Sequence, residues 1–168
     1  MKEGDVLLYK GGNNILQKSI RIVTNSEFVH TGIIESMEYD NNVWTAQAYY
    51  NGFVKRFYFK TDLQALIDSG KVVIRSPNVK LIGLPDYVEK YLGIGYGFFQ
   101  LVVILIKRYT GITIYKDGLR NLICSEVTGR LLYDGSGGKI DLPKEFNKPF
   151  DELTPEDLAV SKQLTSSS

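Results

Sequence analysis

A single cysteine, Cys124, and a single histidine, His30, place the strongest constraint on how this 168-residue chain can fold. One cysteine excludes an internal disulfide, and one cysteine with one histidine excludes a metal site built from several such ligands. The thiol is therefore either a buried packing residue or a chemically active one. Hydrophobic residues make up 43% of the chain, which is enough for one well-buried core. The sequence predicts a single domain over residues 1–168.

The charge pattern narrows the range of partners. Twenty basic residues face nineteen acidic ones, and neither sign forms a block. A nucleic-acid-binding surface needs a basic patch or stripe, so we expect no nucleic-acid partner. We also expect no cofactor. The pattern leaves the oligomeric state open.

The chain begins Met1-Lys2-Glu3-Gly4-Asp5, without a basic flank before a long apolar run and without a small-residue cleavage site. This start predicts a cytoplasmic protein, with delivery by a phage or a lysis pathway as the open alternative. The most apolar stretch, residues 98–106, is nine residues long and far below the ~20 needed to cross a bilayer. It predicts a buried helix face and no transmembrane segment, and peripheral membrane contact stays open.

Apolar periodicity and turn residues predict an α+β fold. We predict strands over residues 5–9, 28–37, 43–50, 53–59 and 71–75, and helices over 61–69, from 85 to a break at 93–95, over 96–109 and over 121–132. The turn near residue 40 predicts an antiparallel hairpin from the second and third strands. A further helix start is expected at Thr154-Pro155, and the Ser-rich tail is expected to fray from about residue 162.

Cys124 lies where the first turn of the 121–132 helix is predicted. The unpaired amides and the dipole at a helix start favour an anion, and they lower a thiol pKa from about 8.5 toward neutrality. Such a cysteine is a candidate nucleophile. The alternative is a small buried side chain with a packing role, since free cysteine is among the most buried residue types.

His30 lies near the start of the 28–37 strand and is the only imidazole that can serve as a base for Cys124. The alternative is a structural histidine. Gln47 lies on the partner strand of the hairpin, whose register places residues 47–49 opposite His30. Its amide oxygen can orient the imidazole without adding charge. Glu35 is an odd number of positions from His30, so we expect it on the other face.

These residues belong to an ordered set of short motifs that covers about nine tenths of the chain. The set resembles the circularly permuted NlpC-type papain-like superfamily of cysteine peptidases and amidases, with its YiiX-like and YebB-like members and the related lecithin:retinol acyltransferase branch. The matching segments are Gly4-Asp5-Val6-Leu7-Leu8, His30-Thr31-Gly32-Ile33-Ile34, residues 44–52, Gly93-Ile94-Gly95-Tyr96-Gly97, Cys124-Ser125-Glu126-Val127 and Leu153-Thr154-Pro155-Glu156-Asp157-Leu158-Ala159.

The resemblance implies a permuted papain-like fold, with the nucleophile helix packed against an antiparallel sheet. It implies Cys124 as nucleophile, His30 as base and Tyr96 as a residue beside the nucleophile that helps to hold the oxyanion. Gln47 stands where many members have Glu, and Gly97 stands where an Asp commonly follows the Tyr. For Glu126, in the first turn of the helix, the preferred interpretation is a cap that complements the helix dipole.

Three functions are consistent with these features. The first is hydrolysis of an amide, of the peptide or cell-wall peptide type, through a thioester on Cys124. The second uses the same dyad on a lipid ester or acyl amide, and is motivated by the apolar residues 98–106. The third is a binding module that kept the fold and lost the chemistry, suggested by Gln47 and Gly97.

Overall fold

A computed structural model describes residues 1–12, 17–18, 21–22, 25–38, 41–49, 51–96, 111 and 121–166. The strands are β1 (Val6–Lys10), β2 (Phe28–Met37), β3 (Asn42–Tyr49), β4 (Gly52–Phe59), β5 (Val72–Pro77), β6 (Gly95–Tyr96), β7 (Asn121–Leu122) and β8 (Leu164–Ser166). The helices are α1 (Lys60–Asp68), α2 (Leu84–Tyr91), α3 (Cys124–Gly135), α4 (Leu142–Phe146), a 3₁₀ turn (Phe150–Glu152) and α5 (Pro155–Val160). The predicted helix over 96–109, with its apolar stretch, lies outside the described residues.

Six of the strands form one antiparallel sheet in the order β4-β3-β2-β1-β5-β8. The predicted hairpin of the second and third strands is confirmed, and Gly32 lies opposite Gln47 in it. The α+β class is likewise confirmed. No helix in the described part of the chain is long and apolar enough to cross a membrane.

The sheet buries a different core on each face. One core joins Val6, Leu8 and Ile33 of the sheet to the apolar sides of α2 and α3. The other is smaller and is covered by α1: it contains Leu7, Ile34, Val43, Leu63, Val72 and Ile74. Neighbouring residues of one strand belong to different cores because side chains alternate across a strand.

Helix α3 is the best-buried helix of the fold. Val127 and Leu131, one turn apart, are at most 1% exposed and face the sheet. Gly129 admits close packing, since a Cβ there would lie 2.7 Å from Leu153 Cδ1. The helix begins at Cys124, three residues later than predicted, because Asn121 and Leu122 pair as a short parallel strand with β6. Cys124 therefore stands at the N-terminus itself.

The C-terminal segment corrects one prediction. The sequence predicts a tail that frays from about residue 162, but Leu164–Ser166 forms β8 on the edge of the sheet against β5. Leu164 is 2% exposed and belongs to the larger core, so its burial offsets the entropy of ordering the tail. The predicted helix start at Thr154 is confirmed as a capping box with Asp157.

Candidate active site

Cys124 is the first residue of α3 and follows Ile123, which is still extended. It is 5% exposed and contacts Thr31 of β2, the residue directly after His30. The Thr31 hydroxyl also lies 3.1 Å from the Thr128 hydroxyl one turn further along α3. The start of the helix is thus fixed against the start of the strand that carries the histidine.

The thiol is not activated in this conformation. Burial raises the pKa of Cys124, whereas the amide and hydroxyl of Thr31 and the amides of Ser125 and Cys124 oppose that rise by favouring the thiolate. The helix start alone predicts a lowered pKa for the Cys124 thiol. The helix amides do act in that direction, but desolvation outweighs them because the sulfur is enclosed.

His30 pairs with Tyr9 of β1 and lies in a polar and aromatic pocket. Its ring centroid is 5.3 Å from that of Tyr9 and 4.7 Å from that of Tyr49. Its Nε2 lies 2.9 Å from Gln47 Oε1. The predicted association of His30 with Gln47 is therefore confirmed, and it occupies only one of the two ring nitrogens.

The hydrogen bonds of Gln47 determine which nitrogen of His30 carries the proton. The Thr45 hydroxyl donates its only hydrogen to the Arg56 carbonyl, 3.2 Å away, so it must accept from Gln47 Nε2 at 2.7 Å. The amide orientation is thereby assigned, and Gln47 Oε1 faces His30 as an acceptor. His30 must then hold its proton on Nε2, which leaves the Nδ1 lone pair to accept a proton.

Two further hydrogen bonds connect Gln47 to tyrosines. Gln47 Nε2 also donates to the Tyr9 hydroxyl at 3.1 Å, and the Tyr49 hydroxyl donates to Gln47 Oε1 at 2.7 Å. Arg56 Nη1, which can only donate, lies 2.8 Å from the Tyr49 hydroxyl and so sets the direction of that bond. Gln47 is fully buried with its amide satisfied.

The imidazole is held neutral by its surroundings. The pKa of His30 is lowered from 6.5 to about 4: burial is the main cause, the hydrogen bond to Gln47 acts in the opposite direction, and the nearby Arg56 cation adds to the lowering. Burial also raises the pKa of Tyr49 to about 12, so its hydroxyl remains a donor at neutral pH. Of the described residues, Arg56 is the one whose charge acts on the imidazole.

Cys124 and His30 lie near the same part of β2 but on opposite faces of the sheet. Thr31 points toward α3, and His30, its strand neighbour, points to the opposite face with Tyr9 and Gln47. Among the residues that the structure describes, no hydrogen bond joins the Cys124 sulfur to the imidazole. The structure thus brings His30 and Gln47 together, and places Cys124 against the next residue of the strand.

The remaining predicted residues are located as follows. Tyr96 lies in β6 and pairs with Leu122 of β7, two residues before Cys124. The side chain of Tyr96 and the whole of Gly97 lie outside the described part of the chain. Glu35 lies on the α3 side, as predicted, and pairs with Lys55 at 2.6 Å. Glu126 is buried in the first turn of α3 and bonds Arg130 at 2.9 Å.

Sequence reasoning missed the residues that hold Gln47. They are Tyr9, Thr45, Tyr49 and Arg56. The signal was present as alternation, since Thr45, Gln47 and Tyr49 are two apart and therefore share one face of β3. Arg56 lies opposite Thr45 on the neighbouring strand, so it belongs to the same face.

Comparisons with known proteins add no assignment. A scan against protein families finds no matching family, and a search of curated proteins finds no match. Within the described residues, no group of three or more His, Cys, Asp and Glu side chains is placed to hold a metal ion.

Proposed function

We propose that the protein is a cysteine-dependent amide hydrolase of the permuted papain-like kind, acting on a peptide or cell-wall peptide bond. One observation carries the proposal: Gln47 holds His30 by Nε2 and leaves Nδ1 as the basic nitrogen, while the helix of Cys124 begins against the next residue of the strand. This division of the two ring nitrogens is what a thiol hydrolase requires of its histidine.

The fold supports the same proposal. A thiol at the N-terminus of a buried helix, a histidine on the facing strand and a polar third residue on the adjacent strand occur together on one antiparallel sheet. This is the arrangement that the resemblance implies for a permuted papain-like enzyme. Fold likeness does not establish chemistry, so the proposal depends on the three side chains themselves.

The reaction begins from two neutral groups. His30 Nδ1 takes the thiol proton as the Cys124 sulfur attacks the substrate carbonyl, and the carbon–oxygen double bond opens to an oxyanion. The amides of Cys124 and Ser125, in the first turn of α3, have no partner within the helix and are donors for that oxyanion. His30 then gives the proton to the leaving amine, and water hydrolyses the thioester.

Gln47 acts as a positioning residue in this scheme. It keeps the Nε2–H tautomer and supplies no negative charge, so the imidazolium formed during attack is less stabilised than it would be beside a carboxylate. The two side chains point to opposite faces of β2, so the reaction requires the backbone at the start of β2 or of α3 to move when substrate binds and bring the Cys124 sulfur and the His30 ring to the same side. Apo geometry is often looser than that of the substrate complex.

The experiment is to trap the thioester. The protein is mixed with an activated acyl ester at neutral pH and quenched in acid, and the intact mass is measured. We expect one acyl group on Cys124 that is removed by hydroxylamine, and none on Cys124→Ala. An unmodified wild-type protein, under conditions in which small thiols are acylated, would contradict the proposal.

The lipid version of the reaction uses the same atoms and is tested in the same assay. A long-chain acyl ester that acylates Cys124 much faster than a peptide ester, together with flotation of the protein on liposomes, would replace the peptide assignment. The residues that motivated this version, 98–106, lie outside the described residues.

A binding module is the second candidate, and a specific observation favours it. Burial raises the pKa of Cys124 and lowers that of His30, and no hydrogen bond joins the two side chains in the described part of the chain. Both shifts oppose a thiolate–imidazolium pair. An unreactive thiol in a folded protein would select this candidate over the hydrolase.

A further inference from the structure

Strand β4 forms one edge of the six-stranded sheet, since it stands first in the order β4-β3-β2-β1-β5-β8. Every residue of β4 pairs with β3 on the inner side. On the outer side, Phe53 donates its N–H to the Ile94 carbonyl and accepts the N–H of Gly93 at its own carbonyl. These two bonds cover the beginning of the edge.

The backbone groups of the rest of β4 alternate in direction. Because Phe53 presents both its N–H and its C=O outward, Lys55 and Phe57 do the same. Lys60 fits this alternation, since its N–H donates inward to the Asn41 carbonyl beside β3. Among the described residues, the outward groups of Lys55 and Phe57 have no backbone partner. The second half of the edge is therefore free to pair with another strand.

The free part of the edge is also apolar. Phe57 and Phe59 are 41% and 56% exposed, and their ring centroids lie 5.0 Å apart. Trp44 lies opposite Phe57 on β3, with its ring 5.6 Å from that of Phe57. The three rings share one face of the sheet, because alternate residues of a strand point the same way. An exposed apolar edge strand is a site for pairing with a further strand.

The lysine on this edge does not protect it. A lysine often blocks association at an edge strand through its charge. Here the ammonium of Lys55 lies 2.6 Å from the Glu35 carboxylate and is also paired with Glu89 of α2. Two carboxylates neutralise the charge, so it does not repel an approaching strand.

A second copy of β4 fits this edge in charge. When two copies pair antiparallel about Phe57, Arg56 lies opposite Tyr58 of the other copy and Lys55 lies opposite Phe59. Each cation then faces an aromatic ring, which is a favourable cross-strand pair. No two cations are opposed in this register.

The neighbouring registers each oppose two cations. An axis at Lys55 or at Arg56 places that residue opposite its own copy. An axis at Tyr58 places Arg56 opposite Lys60. Like charges directly opposite each other destabilise a strand pair, so the sequence of β4 favours the register centred on Phe57.

We propose that the protein forms a symmetric dimer in which β4 pairs antiparallel with β4 of a second copy, with the twofold axis at Phe57. The N–H and C=O of Phe57 bond with those of the other Phe57, and the sheets of the two copies become one continuous sheet. The exposed rings of Phe57 and Phe59 are buried from both sides, and the interface is self-complementary, as a twofold interface must be. The inference is independent of the proposed function, since it involves neither Cys124 nor His30.

The first test measures the oligomeric state of the full chain by sedimentation over a range of concentrations. We expect a monomer–dimer equilibrium in the wild type. The dissociation constant should rise about tenfold or more in Phe57→Lys, because the change enters the interface twice. The matched control is Ile82→Lys, which replaces a 74% exposed apolar side chain just before α2 and should dimerise as the wild type does.

Three results of this test would overturn the inference. The first is a wild type that stays monomeric, which would leave the edge to a strand from a different protein. The second is a dimer that Phe57→Lys does not weaken. The third is an equal loss of dimer in Phe57→Lys and Ile82→Lys, which would reduce the effect to added charge.

The second test examines the register by cross-linking, in a Cys124→Ser background that removes the native thiol. Phe57→Cys and Phe59→Cys are each treated with diamide, which accepts the two electrons released as a disulfide forms. Directly opposed residues of a hydrogen-bonded pair have Cα atoms about 5.5 Å apart, within the span of a disulfide. The two Phe59 positions are separated by four further residues along the strand, about 13 Å.

We expect a covalent dimer from Phe57→Cys and little from Phe59→Cys, read from the intact mass. Equal cross-linking at both positions, or none at position 57, would overturn the register. Since these variants replace exposed side chains with a small residue, this test also decides the inference if Phe57→Lys does not fold. Circular dichroism confirms that each variant is folded.

Discussion

The two faces of the sheet at the start of β2 surround Cys124 and His30 with different kinds of side chain. On the α3 face, Cys124 lies among apolar side chains, and its thiol receives hydrogen bonds from backbone amides and from the Thr31 hydroxyl. On the opposite face, His30 lies in a network of tyrosines and amide groups anchored by Arg56. The two environments meet at β2, where Thr31 faces α3 and the preceding residue, His30, faces the other side.

Burial is the main cause of the pKa shift on both faces, but the compensation differs. The helix amides and Thr31 favour the charged form of Cys124, whereas Arg56 disfavours the charged form of His30. Both groups rest neutral, so in the proposed reaction a proton moves only when the carbonyl is attacked. In the proposed reaction, the α3 face therefore determines whether the thiol is available as a nucleophile, and the face of His30 determines which ring nitrogen accepts its proton.

The largest expected effect is the loss of acyl-transfer rate when His30, the proposed base, is replaced. His30→Asn should lower the rate of acyl transfer to Cys124 from a p-nitrophenyl ester by about 10²–10⁴-fold at neutral pH, because no other imidazole exists in the chain. Release of nitrophenolate measures the rate. In the wild type, the acidic limb of the rate should lie near the His30 pKa of about 4. A wild-type rate in His30→Asn would remove His30 from the mechanism.

The next effect compares the two cores. Leu131 of α3 and Leu63 of α1 are both fully buried, one on each face. Truncation of either to Ala should lower the free energy of unfolding by about 2–5 kcal/mol, measured in urea. Only Leu131→Ala should also speed the reaction of Cys124 with a disulfide reagent under native conditions. Equal acceleration in Leu63→Ala would mean that the faces open as one unit.

Acid should destabilise the network face. The pKa of His30 is about 4 in the folded protein and about 6.5 when unfolded, so the unfolded state binds more protons between these values. Stability from this group is complete above pH 6.5 and is lost as the pH falls toward 4, a change of about 1–3 kcal/mol. The part due to His30 is the difference between wild type and His30→Gln across that range. A difference that does not change with pH would contradict the neutral imidazole.

The smallest expected effects come from replacing two threonines that lie on opposite faces of the sheet, Thr45 and Thr31. Thr45→Val removes the acceptor of Gln47 Nε2, so about 1 kcal/mol of stability should be lost and nitrogen NMR should show a mixture of His30 tautomers. Thr31→Val, the same change on the α3 face, should raise the pKa of Cys124 further and leave the tautomer unchanged. Thiol alkylation against pH measures that second effect. A tautomer change in Thr31→Val would show that the faces are coupled.

The sequence by itself determined the α+β class, the hairpin that pairs β2 with β3, and the candidate residues His30, Gln47 and Cys124. These follow from local patterns, because alternation defines strands and a turn near residue 40 sets the register of the hairpin. The chain has one thiol and one imidazole, so each candidate is the single residue of its type. The helix start at Thr154 follows from its own cap. Local rules suffice where the cause and its effect lie within a few residues.

The tertiary structure alone decided the chemical state of the site. The raised pKa of Cys124 comes from enclosure by several elements, and the assigned tautomer of His30 depends on hydrogen bonds that run through three strands from Arg56. The ordered tail likewise depends on β5, about ninety residues earlier in the chain. Desolvation and hydrogen-bond direction depend on neighbours that are distant in sequence, so local patterns cannot supply them.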